Sequence, residues 1–316
     1  MVKEIGKASC LLCPRHCQLK VGQTSRCHVR ANKGSGVVSL NYGEAASWHT
    51  DPIEKKPLYH FYPGKQIFSV AGFGCNLSCT FCQNYEISQV SRQGVPVTPE
   101  ELAAQASKTL GICFTYSEPT MWYEMIRDTA PLVKESGGKV VLISNGTISS
   151  RFLEELIPYI DAVNIDIKGF TEEFYQKYCG GKLSWVLDTV ERLAGRVHLE
   201  VTTLIVPEGN DDPQEIRELG KWLRNLNTPL AWHLSRYFPS YRHSSPPTDP
   251  QKLLELWEIA KEEIEYVYMG NISGGQNTIC PQCEKTVIFR EYYHTRNILN
   301  QGECPYCGRT IFGEGL

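Results

Sequence analysis

Short apolar runs alternate with amphipathic stretches through the middle of the chain. The runs cover residues 66–71 (QIFSVA), 111–116 (GICFTY), 139–144 (KVVLIS), 162–167 (AVNIDI), 197–203 (VHLEVTT) and 230–235 (LAWHLS). They are short and rich in Val, Ile and Phe, as strands buried on one or both faces should be. Helix signals fill the gaps. Thr98-Pro99-Glu100-Glu101 combines an N-cap, a proline at the first helical position and acids in the first turn. Asp211-Asp212-Pro213 repeats that logic before 214–226, and Thr248-Asp249-Pro250 before 251–264. Residues 154–159 and 184–193 supply two more helices. Six strand–helix units in succession predict parallel strands with right-handed crossovers. A closed or partly closed (β/α) barrel fits this better than an open sheet, and its chemistry belongs on the loops after the strand C-termini.

The flanks differ from this middle. Residues 1–65 are rich in Cys, Gly, His and Lys with little periodicity, and 276–316 carry two cysteine pairs and little that forms a core. Segments below about 40 residues usually need a metal or a partner to fold. The expected organisation is a Cys-rich metal-binding region over 1–65, a barrel over 66–275 and a metal-stapled module over 276–316. The 316 residues are 41% hydrophobic and 21% charged, which excludes a disordered or collagen-like chain. No run approaches 18 apolar residues and the first residues show no signal-peptide pattern, so a cytoplasmic protein without a membrane span is expected. A net charge of −3, from 32 basic and 35 acidic residues, gives no reason to expect nucleic acid or an anionic membrane as partner.

The unusual count is 13 cysteines. Without a secretion signal they suit metal binding or chemistry better than disulfides. Eleven fall in tight groups: Cys10, Cys13, Cys17 and Cys27; Cys75, Cys79 and Cys82; Cys280, Cys283, Cys304 and Cys307. Adjacent cysteines close only small strained loops as disulfides, whereas thiolates on one turn reach one metal centre. The middle group, Cys75-x3-Cys79-x2-Cys82, follows the first strand. Three cysteines hold three corners of a [4Fe–4S] cluster and leave the fourth iron open, where an ordinary ferredoxin closes it with a fourth cysteine. A zinc knuckle is the bland alternative.

This spacing, with Phe81 just before the last cysteine, resembles the radical S-adenosylmethionine (SAM) superfamily. The resemblance implies a partial (β/α)6 barrel, with a cluster whose unique iron chelates the amino and carboxylate groups of SAM. It also implies reductive cleavage of SAM to a 5′-deoxyadenosyl radical that abstracts a substrate hydrogen. Further segments look like one branch: Asp51-Pro52-Ile53-Glu54-Lys55-Lys56-Pro57-Leu58-Tyr59-His60-Phe61, Cys82-Gln83-Asn84-Tyr85, Asn164-Ile165-Asp166-Ile167-Lys168-Gly169 and Tyr268-Met269-Gly270-Asn271. They resemble the AmmeMemoRadiSam-system radical SAM enzymes, relatives of the pyruvate formate-lyase activating enzyme, over nearly the whole chain.

Carried over residue by residue, that resemblance implies SAM contacts at Glu118, Ser144, Asn145, Asp166, Lys168 and His233. Glu118 stands in Tyr116-Ser117-Glu118-Pro119-Thr120 where many relatives carry Gly-Gly-Glu, and the two glycines are absent here. Asp166 and Lys168, two apart, point to one face. Asp166 suits the amine and Lys168 the carboxylate, against a structural ion pair as the alternative. For His233 the competitor is a satisfied core histidine.

The two C-P-x-C knuckles, 20 residues apart, read as a rubredoxin-like zinc ribbon with one tetrahedral S4 site, a structural staple first and an electron relay or docking platform second. Cys10, Cys13, Cys17 and Cys27 suit either a second zinc or an auxiliary iron–sulfur cluster, with His16 or His28 able to replace one thiolate. Cys113 reads as a small buried hydrophobe. Cys179 reads as a buried thiol, with hydrogen-atom donation or substrate binding as the functional alternative. Arg236, Tyr237, Tyr241 and Arg242 fall in a loop after the sixth strand that is expected to border the site, where the arginines suit a carboxylate or phosphate, with a plain solvated loop as the alternative.

The expected function is hydrogen abstraction from an unidentified small molecule or amino acid, fed by a reductant such as flavodoxin or ferredoxin. Activation or modification of a protein partner is the second reading, and a non-catalytic zinc-ribbon binding module the third. No catalytic residue beyond the cofactor contacts is assigned.

Overall fold

The apolar runs pair with their chain neighbours in one eight-stranded sheet. A computed structural model describes residues 6–90 and 93–316. The strands are β1 (Ser47–Pro52), β2 (Gln66–Ala71), β3 (Gly111–Phe114), β4 (Lys139–Ser144), β5 (Ala162–Asp166), β6 (His198–Ile205), β7 (Ala231–Arg236) and β8 (Tyr266–Gly270). Their spatial order is β8-β7-β6-β5-β4-β3-β2-β1. β2 through β8 are parallel, and β1 runs antiparallel to β2 with Ser47 opposite Ala71. A helix of seven or more residues joins each consecutive parallel pair: α1 (Pro99–Ala106), α2 (Tyr123–Glu135), α3 (Ser150–Leu156), α4 (Leu183–Leu193), α5 (Pro213–Arg224) and α6 (Pro250–Lys261).

The fold is thus α/β with a mainly parallel sheet, and all six expected strands are in it. Two further strands were not expected. β1 (SWHTDP) is an edge strand whose middle residues face solvent, so it carries no apolar run. β8 (YVYMG) is five residues long and gives no alternation. Because β1 precedes residue 65, the Cys-rich segment itself contributes a strand to the central sheet. Caps follow the sequence signals. Thr98 and Glu101 form a reciprocal capping box on α1, and Asp212 and Asp249 accept the first free amides of α5 and α6.

Strand alternation divides the core in two. Ile112, Phe114, Val140, Leu142, Val163 and Ile165 pack in one cluster with helix residues such as Ile126, Val133, Leu153 and Val190. On the opposite face Cys113, Val141 and Ala162 meet Ile53, Leu58 and Phe61. That inner face also carries charge. Glu200 of β6 is buried and accepts hydrogen bonds from the amides of Tyr59 and His60 and from His198 and His233. Asn164 reaches the carbonyl of Pro57. Segment 57–61 is therefore held across the sheet by side chains of β5, β6 and β7.

The ends form small modules. Two short hairpins, Lys7–Ser9 with Gln18–Lys20 and Arg30–Asn32 with Val37–Ser39, precede β1. At the other end β9 (Thr278–Ile279), β10 (Thr286–Glu291) and β11 (His294–Asn297) make an antiparallel sheet. Arg290 of β10 docks that sheet by donating to the carbonyl of Tyr59 and to Thr278. Among the described residues no helix is long and apolar enough to cross a membrane.

Candidate functional site

The loop leaving β2 carries Cys75, Cys79 and Cys82. It begins at Gly74, whose φ of +87° lies in the left-handed region and whose missing Cβ would stand 2.6 Å from the carbonyl oxygen of Cys27. Only glycine meets both conditions. The loop is then fastened on two sides. The amides of Ser78 and Thr80 donate to the carbonyls of Cys179 and Tyr178, in the turn after β5. The amide of Arg242 donates to Thr80, and the Ser240 hydroxyl to the Cys82 carbonyl, in the loop after β7. Tyr85 stacks on Tyr241 at 4.7 Å. Loops from three strand ends thus meet around the three thiols, as a (β/α) scaffold requires of a site.

A polar network adjoins Cys75. Glu118 is buried, and its carboxylate accepts from the Ser144 hydroxyl at 2.8 Å, the Asn145 amide at 2.8 Å and the Thr120 hydroxyl and amide at 2.8 and 3.0 Å. Burial pushes the Glu118 carboxyl up, and these donors act against that shift. The Asn145 side chain reaches the Cys75 sulfur at 3.5 Å and Asn76 at 3.0 Å. Three expected cofactor contacts, Glu118, Ser144 and Asn145, therefore stand in one hydrogen-bonded group beside the first cysteine.

A second group adjoins Cys79. Lys168 pairs with Asp166 at 2.9 Å. Burial works against the Lys168 charge, but Asp166, Cys79 and Cys179 outweigh it and hold the ammonium well above its ordinary pKa. Cys179 is buried, and its thiol interacts electrostatically with that of Cys79. Chain spacing hides this proximity, because nearly one hundred residues separate the two thiols. The double glycine Gly180-Gly181 was the available signal. Gly181 lies against Leu77, with 2.4 Å from its Cβ position to the leucine side chain, and so lets the turn approach the loop.

His233 lies in the buried inner network. Its Nε2 meets Glu200 at 2.7 Å, and its ring packs against Tyr59 and Tyr268. Burial opposes the Glu200 charge, but hydrogen bonds from His198 and His233 prevail and hold the carboxyl well below its usual range. At the rim, Arg236 donates to the Thr248 carbonyl and Tyr237 is buried. Arg242 is exposed over Tyr241, with no ion pair to it among the described residues.

The C-terminal cysteines form a closed set. The Cys280–Cys307 and Cys283–Cys304 sulfurs are each 3.6 Å apart, and all four lie within 4.8 Å of one another. Matching turns present each pair. The amide of Cys280 donates to Lys285 and that of Glu284 to Cys280, as Cys304 donates to Arg309 and Gly308 to Cys304. Four thiolates in this arrangement suit one metal ion. The N-terminal four, Cys10, Cys13, Cys17 and Cys27, line a common pocket beside Asn76.

The profile of the Radical SAM superfamily matches residues 69–223, from β2 into α5. An uncharacterised protein of Methanocaldococcus jannaschii is 40% identical over 96% of this chain and 95% of its own. The pyruvate formate-lyase 1-activating enzyme of Escherichia coli K12 is 24% identical over 54% of this chain and 73% of its own. A crystal structure of Streptococcus suis SuiB bound to S-adenosylmethionine superposes with a TM-score of 0.52 at 14% identity, covering 70% of this chain. This chain spans about half the length of that protein, 53%, and the likeness is one of fold.

Proposed function

The chain belongs to the radical SAM superfamily and is an enzyme, and from that premise we propose that Cys75, Cys79 and Cys82 hold a [4Fe–4S] cluster beside which S-adenosylmethionine binds. Bound there, the cluster supplies the electron for reductive cleavage of S-adenosylmethionine, releasing the 5′-deoxyadenosyl radical that takes a hydrogen atom from the substrate. The observation that carries this reading is the pair of polar groups on either side of three soft sulfur donors. The donor set fits, because thiolates are the ligands such clusters take.

The methionine end of the cofactor carries an ammonium that needs acceptors and a carboxylate that needs donors. Asp166 offers an acceptor and Lys168 a cation on the Cys79 side. On the Cys75 side Glu118 holds the Ser144 hydroxyl and the Asn145 backbone amide, and keeps lone pairs on Oε2 beyond its single bond to Asn145. His233, committed to Glu200, is left out of this set. The substrate in this reading is a small molecule or amino acid whose carboxylate meets Arg242, the exposed cation in the loop that caps the triplet. A low-potential donor such as flavodoxin or ferredoxin supplies the electron. At the C-terminus, zinc fills the four-sulfur set and makes it a ribbon that staples β9–β11.

A second reading, action on a protein partner, is favoured by the similarity to an activating enzyme. The two separate in one experiment. The reconstituted enzyme is incubated with extract from cells grown in deuterated medium, split into small-molecule and macromolecular fractions. Deuterium entering 5′-deoxyadenosine from the small-molecule fraction supports the first reading, and from the macromolecular fraction alone the second.

A further inference from the structure

The N-terminal and C-terminal cysteine quartets have the same donor chemistry and different geometry. A tetrahedral zinc site, with Zn–S near 2.3 Å, sets its sulfurs about 3.8 Å apart. The C-terminal sulfurs meet that spacing at 3.6 Å, and theirs is the one set of three or more such ligand atoms within 4.8 Å of one another among the described residues. Neither the Cys75–Cys79–Cys82 triplet nor the Cys10–Cys13–Cys17–Cys27 quartet is drawn in so closely. The N-terminal quartet lines a pocket with room for about one water-sized sphere between the cysteines. A single ion leaves no such room, whereas a cubane, with its irons spread over a cube, holds its thiolates further apart and fills the space between them.

The lining suits an anionic cluster. Arg15 and Arg30 both border the pocket, and the Nε of each is buried without a hydrogen-bond partner. Orphaned buried donors of this kind are uncommon, and bridging sulfides are acceptors they lack. Ser25 already bonds the Cys27 sulfur at 3.0 Å. The pocket is also built into the fold. Arg15 donates to the carbonyls of Asn76 and Gly180, Arg30 pairs with Glu124 of α2, and the Ser149 amide donates to Leu12. Asn76 lines it and is the residue next to Cys75.

We propose that Cys10, Cys13, Cys17 and Cys27 bind a [4Fe–4S] cluster, bordered by Asn76 of the triplet loop, and not a zinc ion. This does not rest on the radical SAM reading, because the test removes the triplet. The full chain carrying Cys75→Ala, Cys79→Ala and Cys82→Ala together is isolated anaerobically, and its iron, acid-labile sulfide and zinc are counted alongside a Mössbauer spectrum. The expected result is about four irons and four sulfides per chain with one zinc, and a [4Fe–4S] doublet that Cys13→Ser/Cys27→Ser removes. No sulfide and about two zinc ions would overturn the proposal. Should the triplet variant not fold, the wild-type chain decides. About eight irons with one zinc support the second cluster, and about four irons with two zincs contradict it.

Discussion

Asn145 and Cys179 adjoin different thiols of the triplet, the one 3.5 Å from the Cys75 sulfur and the other interacting electrostatically with Cys79. Their different chemistry makes a sharp test of which thiols are ligands. Cys79→Ala is expected to remove the triplet's iron and all SAM cleavage, while Cys179→Ala leaves that iron bound, as iron analysis of the two proteins would show. Equal loss in both would make Cys179 a ligand. Glu118 gives a second test. Truncation to alanine strips the acceptor from the Ser144 hydroxyl, the Asn145 amide and the Thr120 amide at once. Orphaned buried donors cost about 1–3 kcal/mol each and partly relax, so Glu118→Ala should lose roughly 3 kcal/mol in urea denaturation. Glu118→Gln, which keeps an acceptor, should recover part of it.

At the scale of elements, the site is a convergence of loops, and Gly74 is where two of them touch. Gly74→Ala must place a Cβ 2.6 Å from the Cys27 carbonyl at a φ of +87°. A loss of about 1–3 kcal/mol and a displaced triplet loop should follow, read as a lower melting temperature and a lower iron content. The core beside the C-terminal sheet is small, so a metal at the four sulfurs would carry much of that module's stability. Chelation of its metal should release β9–β11, and with them the Arg290 bond to Tyr59, visible as new proteolytic cleavage within 276–316 while the central sheet stays protected. The parallel strands β2–β7 were legible as short buried runs carrying Val, Ile, Leu and Phe, and α1, α5 and α6 because their caps are spelled out in Thr98, Asp212 and Asp249. β1 was not, since a solvated edge strand carries polar residues. The triplet was legible through local spacing alone. The adjacency of Cys179 was hidden, because a contact over that separation exists only once β5 is placed beside the loop.

At the scale of the whole molecule, the buried network on the inner face of the sheet reaches the C-terminal segment through His60. His60 lies between Tyr268 and the Phe312 carbonyl, and burial pushes its pKa down to about 4 from 6.5. Below pH 6.5 the unfolded chain takes up a proton that the folded chain refuses, so stability is full above that pH and falls as pH drops toward 4. The slope approaches 1.4 kcal/mol per pH unit, about 3 kcal/mol across the interval. Urea midpoints measured from pH 7 to pH 4 should show that decline, and His60→Asn should flatten it. In the function proposed, the three thiols after β2 serve reductive cleavage of S-adenosylmethionine. The most direct test is to reconstitute the protein anaerobically, reduce it with S-adenosylmethionine present, and quantify 5′-deoxyadenosine against the Cys79→Ala variant. Formation of 5′-deoxyadenosine by the wild type and none by the variant is the predicted result. A wild-type protein that binds its cluster and leaves S-adenosylmethionine intact would contradict the account.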